Sequence, residues 1–159
     1  MDALTMLKQQ HQEVDELFDR MQQAEESEKI TLMGRISEKL TLHAMIEERH
    51  FYPFCMRMGI QDMVDQSLQE HSEVKQLISE ILQMKRHDPQ IDQSVHKLMT
   101  SVRSHVKEEE NTLFPRLMSV ASEEDLRSVG MEMQRTMDEM SEQELLKLAE
   151  HEGSTVTPQ

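Results

Sequence analysis

The chain has 159 residues, enough for one domain with a single core, and its composition is 30% charged and 36% hydrophobic. Only four Gly, four Pro and 3% aromatic residues, with no Trp, favour long helices and argue against an all-β fold. A net charge of −14 repels phosphate backbones and anionic lipid, setting nucleic-acid and membrane-surface roles aside, and the single cysteine, Cys55, excludes a disulfide within a monomer.

The first predicted helix runs from about Thr5 to Ala24, with a buried stripe of Leu4, Leu7, His11, Val14, Phe18 and Met21. The second begins near Glu28 and stops before Pro53, because proline disfavours helix in the residue before it. Its stripe is Ile36, Leu40, His43, Glu47, His50 and Phe54. Gly59 serves the reversal that follows. The third helix spans about Asp62 to Arg86 and carries Val64, Leu68, His71, Val74, Ile78 and Ile81; the turn around Pro89 closes it. The fourth spans Ile91 to Phe114, ends at Pro115, and carries Val95, Leu98, Val102, His105, Glu109 and Leu113. Beyond it, Ser122 looks like a cap for a helix with a Leu126, Val129, Met133, Met137 and Met140 stripe. A further short helix could start at Ser141, and residues 153–159 read as a disordered tail. The expected fold is all-α: an antiparallel up-down four-helix bundle with an additional C-terminal helix. One domain covers residues 1–152, with the core bundle at about 4–116.

The amino terminus has no basic segment followed by an apolar one, and no 18-residue apolar run occurs. A cytoplasmic protein, monomeric or weakly dimeric, is expected. Most of the 15 methionines read as flexible core filling.

Each stripe places a histidine near its middle, and two stripes add a glutamate one turn later. An ionisable group buried without a partner costs several kcal/mol, so six such groups need one common explanation. The chain distances bring them to one level. His11 lies 15 residues before Glu26 and His43 lies 15 after Glu28. His71 precedes His87 by 16 and His105 follows Pro89 by 16, while His43 and His71 lie nine from Tyr52 and Asp62. Antiparallel helices rise equally, by about 1.5 Å per residue. His43-x-x-x-Glu47 and His105-x-x-x-Glu109 are i, i+4 pairs repeated at an offset of 62, and the segments Glu47-Glu-Arg-His-Phe-Tyr-Pro53 and Glu109-Glu-Asn-Thr-Leu-Phe-Pro115 match. The chain reads as two related hairpins.

Four imidazoles and two carboxylates without thiolate suit Fe, Mn or Zn. Carboxylates able to bridge imply two metals, each with two histidines, a solvent-derived bridge and one open position. Closed structural zinc sites fit poorly, and iron is expected.

These residues resemble the hemerythrin-like (HHE cation-binding) family, over roughly residues 4 to 116. The resemblance implies that His11 and His43 ligate one iron, that His71 and His105 ligate the other, and that Glu47 and Glu109 bridge them. The cofactor would be two non-heme iron ions with an oxo or hydroxo bridge. Oxygen carriers of the family have a further histidine where this chain has Lys75, and an aspartate five residues after the last histidine where this chain has Glu109 at four. The chain is thus similar to the bacterial four-histidine, two-glutamate variety.

The function expected is binding or sensing of O2, NO or iron, with no catalytic residue assigned. The alternative is a diiron enzyme decomposing hydrogen peroxide. Ferritin-like iron oxidation, suggested by the half-signature Glu47-x-x-His50, and a metal-free interaction bundle are the remaining readings. His50 and Tyr52 are candidates to support the ligands from behind, or for Tyr52 to join them. His87, His96 and His151 read as solvated.

Overall fold

The computed structural model describes residues 1–85 and 87–140. The short helix expected from Ser141, His151 and the tail at 153–159 lie outside the described residues, which contain no strand. No described helix is long and apolar enough to cross a membrane.

Helix α1 (Ala3–Gln23) starts where the Asp2 carboxylate accepts from Thr5 N–H. Two residues later α2 (Glu26–Ile46) runs back beside it. A π turn (Glu47–Phe51) then leads without a break into α3 (Tyr52–Arg57). Helix α4 (Asp62–Gln83) and α5 (Ile91–Glu108) form the second hairpin, and α5 continues through a second π turn (Glu109–Leu113) into α6 (Phe114–Met118). Helix α7 (Glu123–Glu139), capped by Ser122 as expected, lies across α1, α2 and the first π turn. The architecture is the expected bundle with one added helix.

Pro53 and Pro115 do not end helices, which corrects the sequence reading. The residues before them, Tyr52 (φ −65°, ψ −40°) and Phe114 (φ −61°, ψ −47°), are right-handed helical. In both rods the preceding turn is widened: Tyr52 N–H donates to the Glu47 carbonyl, and Phe114 N–H to that of Glu109. Proline has no N–H to place, and a widened turn gives its ring room that a regular turn denies. The chain reverses later, at Gly59, whose φ of +88° suits a residue without Cβ. Ile60 N–H closes that end on the Cys55 carbonyl.

Two apolar clusters fill the bundle. One joins Leu4, Leu7, Ile46, Phe51, Phe54, Val64, Leu113 and Phe114 to Leu126, Val129 and Met133 of α7. The other gathers Val14, Phe18, Met21, Leu32, Ile36, Ile78, Ile81, Leu98 and Val102. Leu68 is exposed at 37%, and Ser67 takes the buried place expected for it.

Helix α7 approaches α1 through Gly130, where a Cβ would lie 2.7 Å from the Met1 carbonyl oxygen and 2.9 Å from Ala3 N. Gly34, within α2, has nothing within 4 Å of such an atom. Gly130→Ala is therefore expected to destabilise by roughly 1–3 kcal/mol, the cost of overpacking. Gly34→Ala is expected to stabilise by up to about 1 kcal/mol. Urea unfolding of both variants against the parent checks the contrast in sign.

Candidate metal centre

Between the two apolar clusters lies one polar layer. His11 comes from α1, His43 and Glu47 from α2 and its π turn, His71 from α4, and His105 and Glu109 from α5 and its π turn. All six are buried, with Glu47 and Glu109 at 0% and 1% exposure. Their donor atoms form two groups, each within 4.8 Å: His11, His43, Glu47 and Glu109, and Glu47, His71, His105 and Glu109. Both carboxylates belong to both groups. The structure thus brings together all six residues singled out in the sequence.

Every imidazole is oriented the same way. The four Nε2 atoms point inward: that of His11 lies 3.2 Å from that of His43, and that of His71 lies 3.2 Å from that of His105. Each Nδ1 points outward onto an acceptor. The partners are Glu110 for His11 (2.6 Å), Gln10 for His43 (2.7 Å), Glu48 for His71 (2.8 Å) and Glu70 for His105 (2.7 Å). A carboxylate only accepts, so Nδ1 must carry the hydrogen. In a neutral ring Nε2 is then a lone pair, and two pairs of lone pairs face each other. Glu47 Oε2 is also buried without a hydrogen-bond partner, and Glu109 Oε1 has His11 Nε2 beside it at 3.2 Å. The layer is an acceptor set whose negative charge calls for a positive one, from protons on the rings or from a cation. Metal-bound histidines characteristically hold their outer N–H in this way.

Protons alone respond as that deficit requires. Burial pushes the His105 imidazole down, but the Glu109 carboxylate outweighs it and raises the ring to about 10. His71 is likewise lowered by burial and raised more by Glu47 and Glu48, to about 9. Burial and mutual repulsion push Glu47 up, yet His43 and His71 hold it below the usual carboxylate range. Burial also pushes Glu109 up, and His105 and His11 hold it well below that range.

Tyr52, a candidate from the sequence, reaches the layer. Its hydroxyl lies 2.5 Å from Glu109 Oε2, 3.2 Å from Glu47 Oε1, 3.1 Å from His71 Nε2 and 3.4 Å from His105 Nε2. The π turn makes this possible, because a turn closed five residues on carries Tyr52 back over Glu47. Its counterpart Phe114 stacks on His11, with ring centroids 6.1 Å apart and planes 9° from parallel. His50 does not join the layer. The same widened turn rotates it off the buried stripe, and its Nε2 lies 2.7 Å from the Thr136 hydroxyl of α7. Cys55 is buried, and burial followed by the charges of Glu109 and Glu47 pushes its thiol up to about 12, so it stays protonated.

The four outer acceptors escaped the sequence reading, although a signal existed. Gln10 and Glu70 immediately precede His11 and His71, and Glu48 and Glu110 immediately follow Glu47 and Glu109. Above the imidazoles a cavity of about 40 Å³, walled by Val14, Leu40, Val74, Ile78 and Val102 with Lys75 at its side, has room for a molecule of two or three heavy atoms.

Residues 2–117 match the model of the hemerythrin HHE cation binding domain. Over 125 residues the chain is 30% identical to a DNA nickase of Nostoc sp. (strain PCC 7120), a match covering 78% of this chain and 36% of that protein. The chain therefore spans about a third of that relative's length. The crystal structure of a hemerythrin HHE cation binding domain-containing protein from Mycobacterium kansasii superposes with a TM-score of 0.75 at 20% identity, covering 98% of this chain and 90% of that one.

Because His71 and His105 rise above 6.5 on folding, their contribution to stability is full below about pH 6.5 and lost as pH climbs through about 9 and 10. Glu47 and Glu109, held below 4.5, contribute above that pH and lose their contribution as it falls. The metal-free protein should therefore be most stable between about pH 4.5 and 6.5 and melt progressively lower toward pH 10. Thermal unfolding across this range in a chelator checks it; a flat alkaline limb would mean that these imidazoles stay neutral.

Proposed function

Since the chain belongs to the hemerythrin HHE cation-binding family, whose domain model spans residues 2–117, we propose that its buried layer holds two iron ions and binds or senses a small ligand such as O2 or NO. The observation that carries this reading is the pair of inward Nε2 contacts at 3.2 Å, with every Nδ1 committed to an outward acceptor. His11 and His43 would hold one iron, His71 and His105 the other, and Glu47 and Glu109 both. Donors without thiolate favour a metal of intermediate hardness. Bound there, iron would supply open coordination positions and redox change. The chain supplies the rest: fixed imidazoles, two buried carboxylates, and an apolar cavity that excludes bulk water from a small ligand.

Tyr52 adds a fifth donor to the His71 and His105 side. Its hydroxyl is as close to the four surrounding donor atoms, at 2.5–3.4 Å, as those imidazoles are to each other at 3.2 Å. Decomposition of peroxide is the second reading, and it takes Tyr52 not as a metal donor but as a phenol that keeps its proton, donated to Glu109, available to a peroxide. Cutting of DNA, which the Nostoc relative's name describes, does not carry over here. The chain spans 36% of that protein, and its charge of −14 opposes a phosphate backbone.

Protein purified without chelators is expected to contain about two irons per chain, the number for which the two donor groups provide. His43→Ala and Glu109→Ala should lose most of it while remaining helical by circular dichroism. Tyr52→Phe should keep the iron and lose any phenolate-to-ferric band in the visible spectrum. Folded parent protein that takes up no iron when supplied anaerobically would defeat the reading. Titration with NO, and with peroxide under turnover conditions, then separates binder from enzyme.

A further inference from the structure

The two hairpins repeat each other closely around the layer, so the places where the repeat fails are informative. Glu48 and Glu110 are equivalent, each following a shared carboxylate and each accepting from a histidine of the opposite hairpin: Glu48 from His71, Glu110 from His11. Gln10 and Glu70 are equivalent as well, each preceding the first histidine of its hairpin and accepting from the second. Here the chemistry differs. His105 Nδ1 faces a carboxylate, whereas His43 Nδ1 faces a neutral amide. The amide is not free to turn, because Gln10 Nε2 donates to Met137 Sδ of α7 at 2.9 Å, which leaves Oε1 to His43. Helix α7 packs on the first hairpin's side of the bundle, so among the described residues its contact with Gln10 has no counterpart at Glu70.

An anionic acceptor makes an imidazole a stronger donor and adds negative charge next to the cation it ligates. Lys75 offsets part of this on the same side by pairing with Glu48 at 2.9 Å, but it stands one group further out and is partly solvated. Tyr52 favours the same side by adding a donor beside His71 and His105; among the outer acceptors the contrast is Glu70 against Gln10. We infer that these two residues make the two metal positions unequal: the position of His71 and His105 fills first and binds tightly, and the position of His11 and His43 is the exchangeable one. Both act through a histidine, as positioning residues. This inference rests on the dinuclear reading above.

Anaerobic titration with Co(II), a paramagnetic stand-in for ferrous iron, tests it. The parent should take up metal in two resolved steps, with the histidine N–H resonances of His71 and His105 shifted at one equivalent. Glu70→Gln keeps the hydrogen-bond acceptor and removes the charge, and should weaken the tighter step by roughly 10- to 100-fold. Gln10→Glu should tighten the weaker step, and the double exchange should narrow the gap between the two steps. Loss of packing alone would not tighten a step. Two bound equivalents with steps and order unchanged in all three variants would overturn the inference while leaving the metal centre standing. No uptake by the parent would remove the centre, and the inference with it.

Discussion

The structure depends on one electrostatic constraint. Two carboxylates at 0% and 1% exposure sit among four imidazoles whose inner nitrogens all face them. An uncompensated ion at that depth costs several kcal/mol. The fold tolerates the layer because it is not uncompensated: histidines become more basic, the carboxylates stay ionised, and outward acceptors hold each ring. Each Nε2 also lies 3.0–3.3 Å from an oxygen of Glu47 or Glu109, so protonated rings donate to the carboxylates. A cation held by the same nitrogens and oxygens would take the place of those protons.

Both π turns begin at the shared carboxylates, and that position matters. A regular helix would continue the stripe from Glu47 through His50; the widened turn instead brings Phe51 into the core and Tyr52 onto the site. It also seats a proline six residues after each glutamate. The same local device, used twice, yields different chemistry because its fifth-residue partner is Tyr52 in one hairpin and Phe114 in the other. One side of the layer gains a hydroxyl and the other an apolar lid over His11.

Much of this was legible in the sequence, for a simple reason. Helices rise by a constant amount, so equal chain distances from the turns placed His11, His43, His71 and His105 at one level without any knowledge of packing. The same regularity misled where the helix departs from it. Proline at 53 and 115 read as a stop, although the repeated spacing from Glu47 and Glu109 marked a widened turn. His50 read as facing the site because the period was carried across that turn unchanged. Leu68 read as core because it is apolar, whereas the strict three-and-four alternation passes through Ser67. Periodicity assigned faces well; it could not assign the partners of individual nitrogens. Gln10, Glu48, Glu70 and Glu110 are polar residues on half-exposed faces, and only their contacts in space distinguish them from solvated ones.

The two apolar clusters bear on how the site is used. They lie above and below the polar layer and draw on all the described helices, so the framework that orients the imidazoles is held largely by apolar packing. Small metal domains that lack such a core fold only when loaded, and their binding energy is spent as folding energy. Here each Nδ1 already donates to a half-exposed acceptor, and Gln10 is itself held by Met137. A layer embedded mid-bundle, between two apolar clusters, is kept from the ends, where fraying would disturb it.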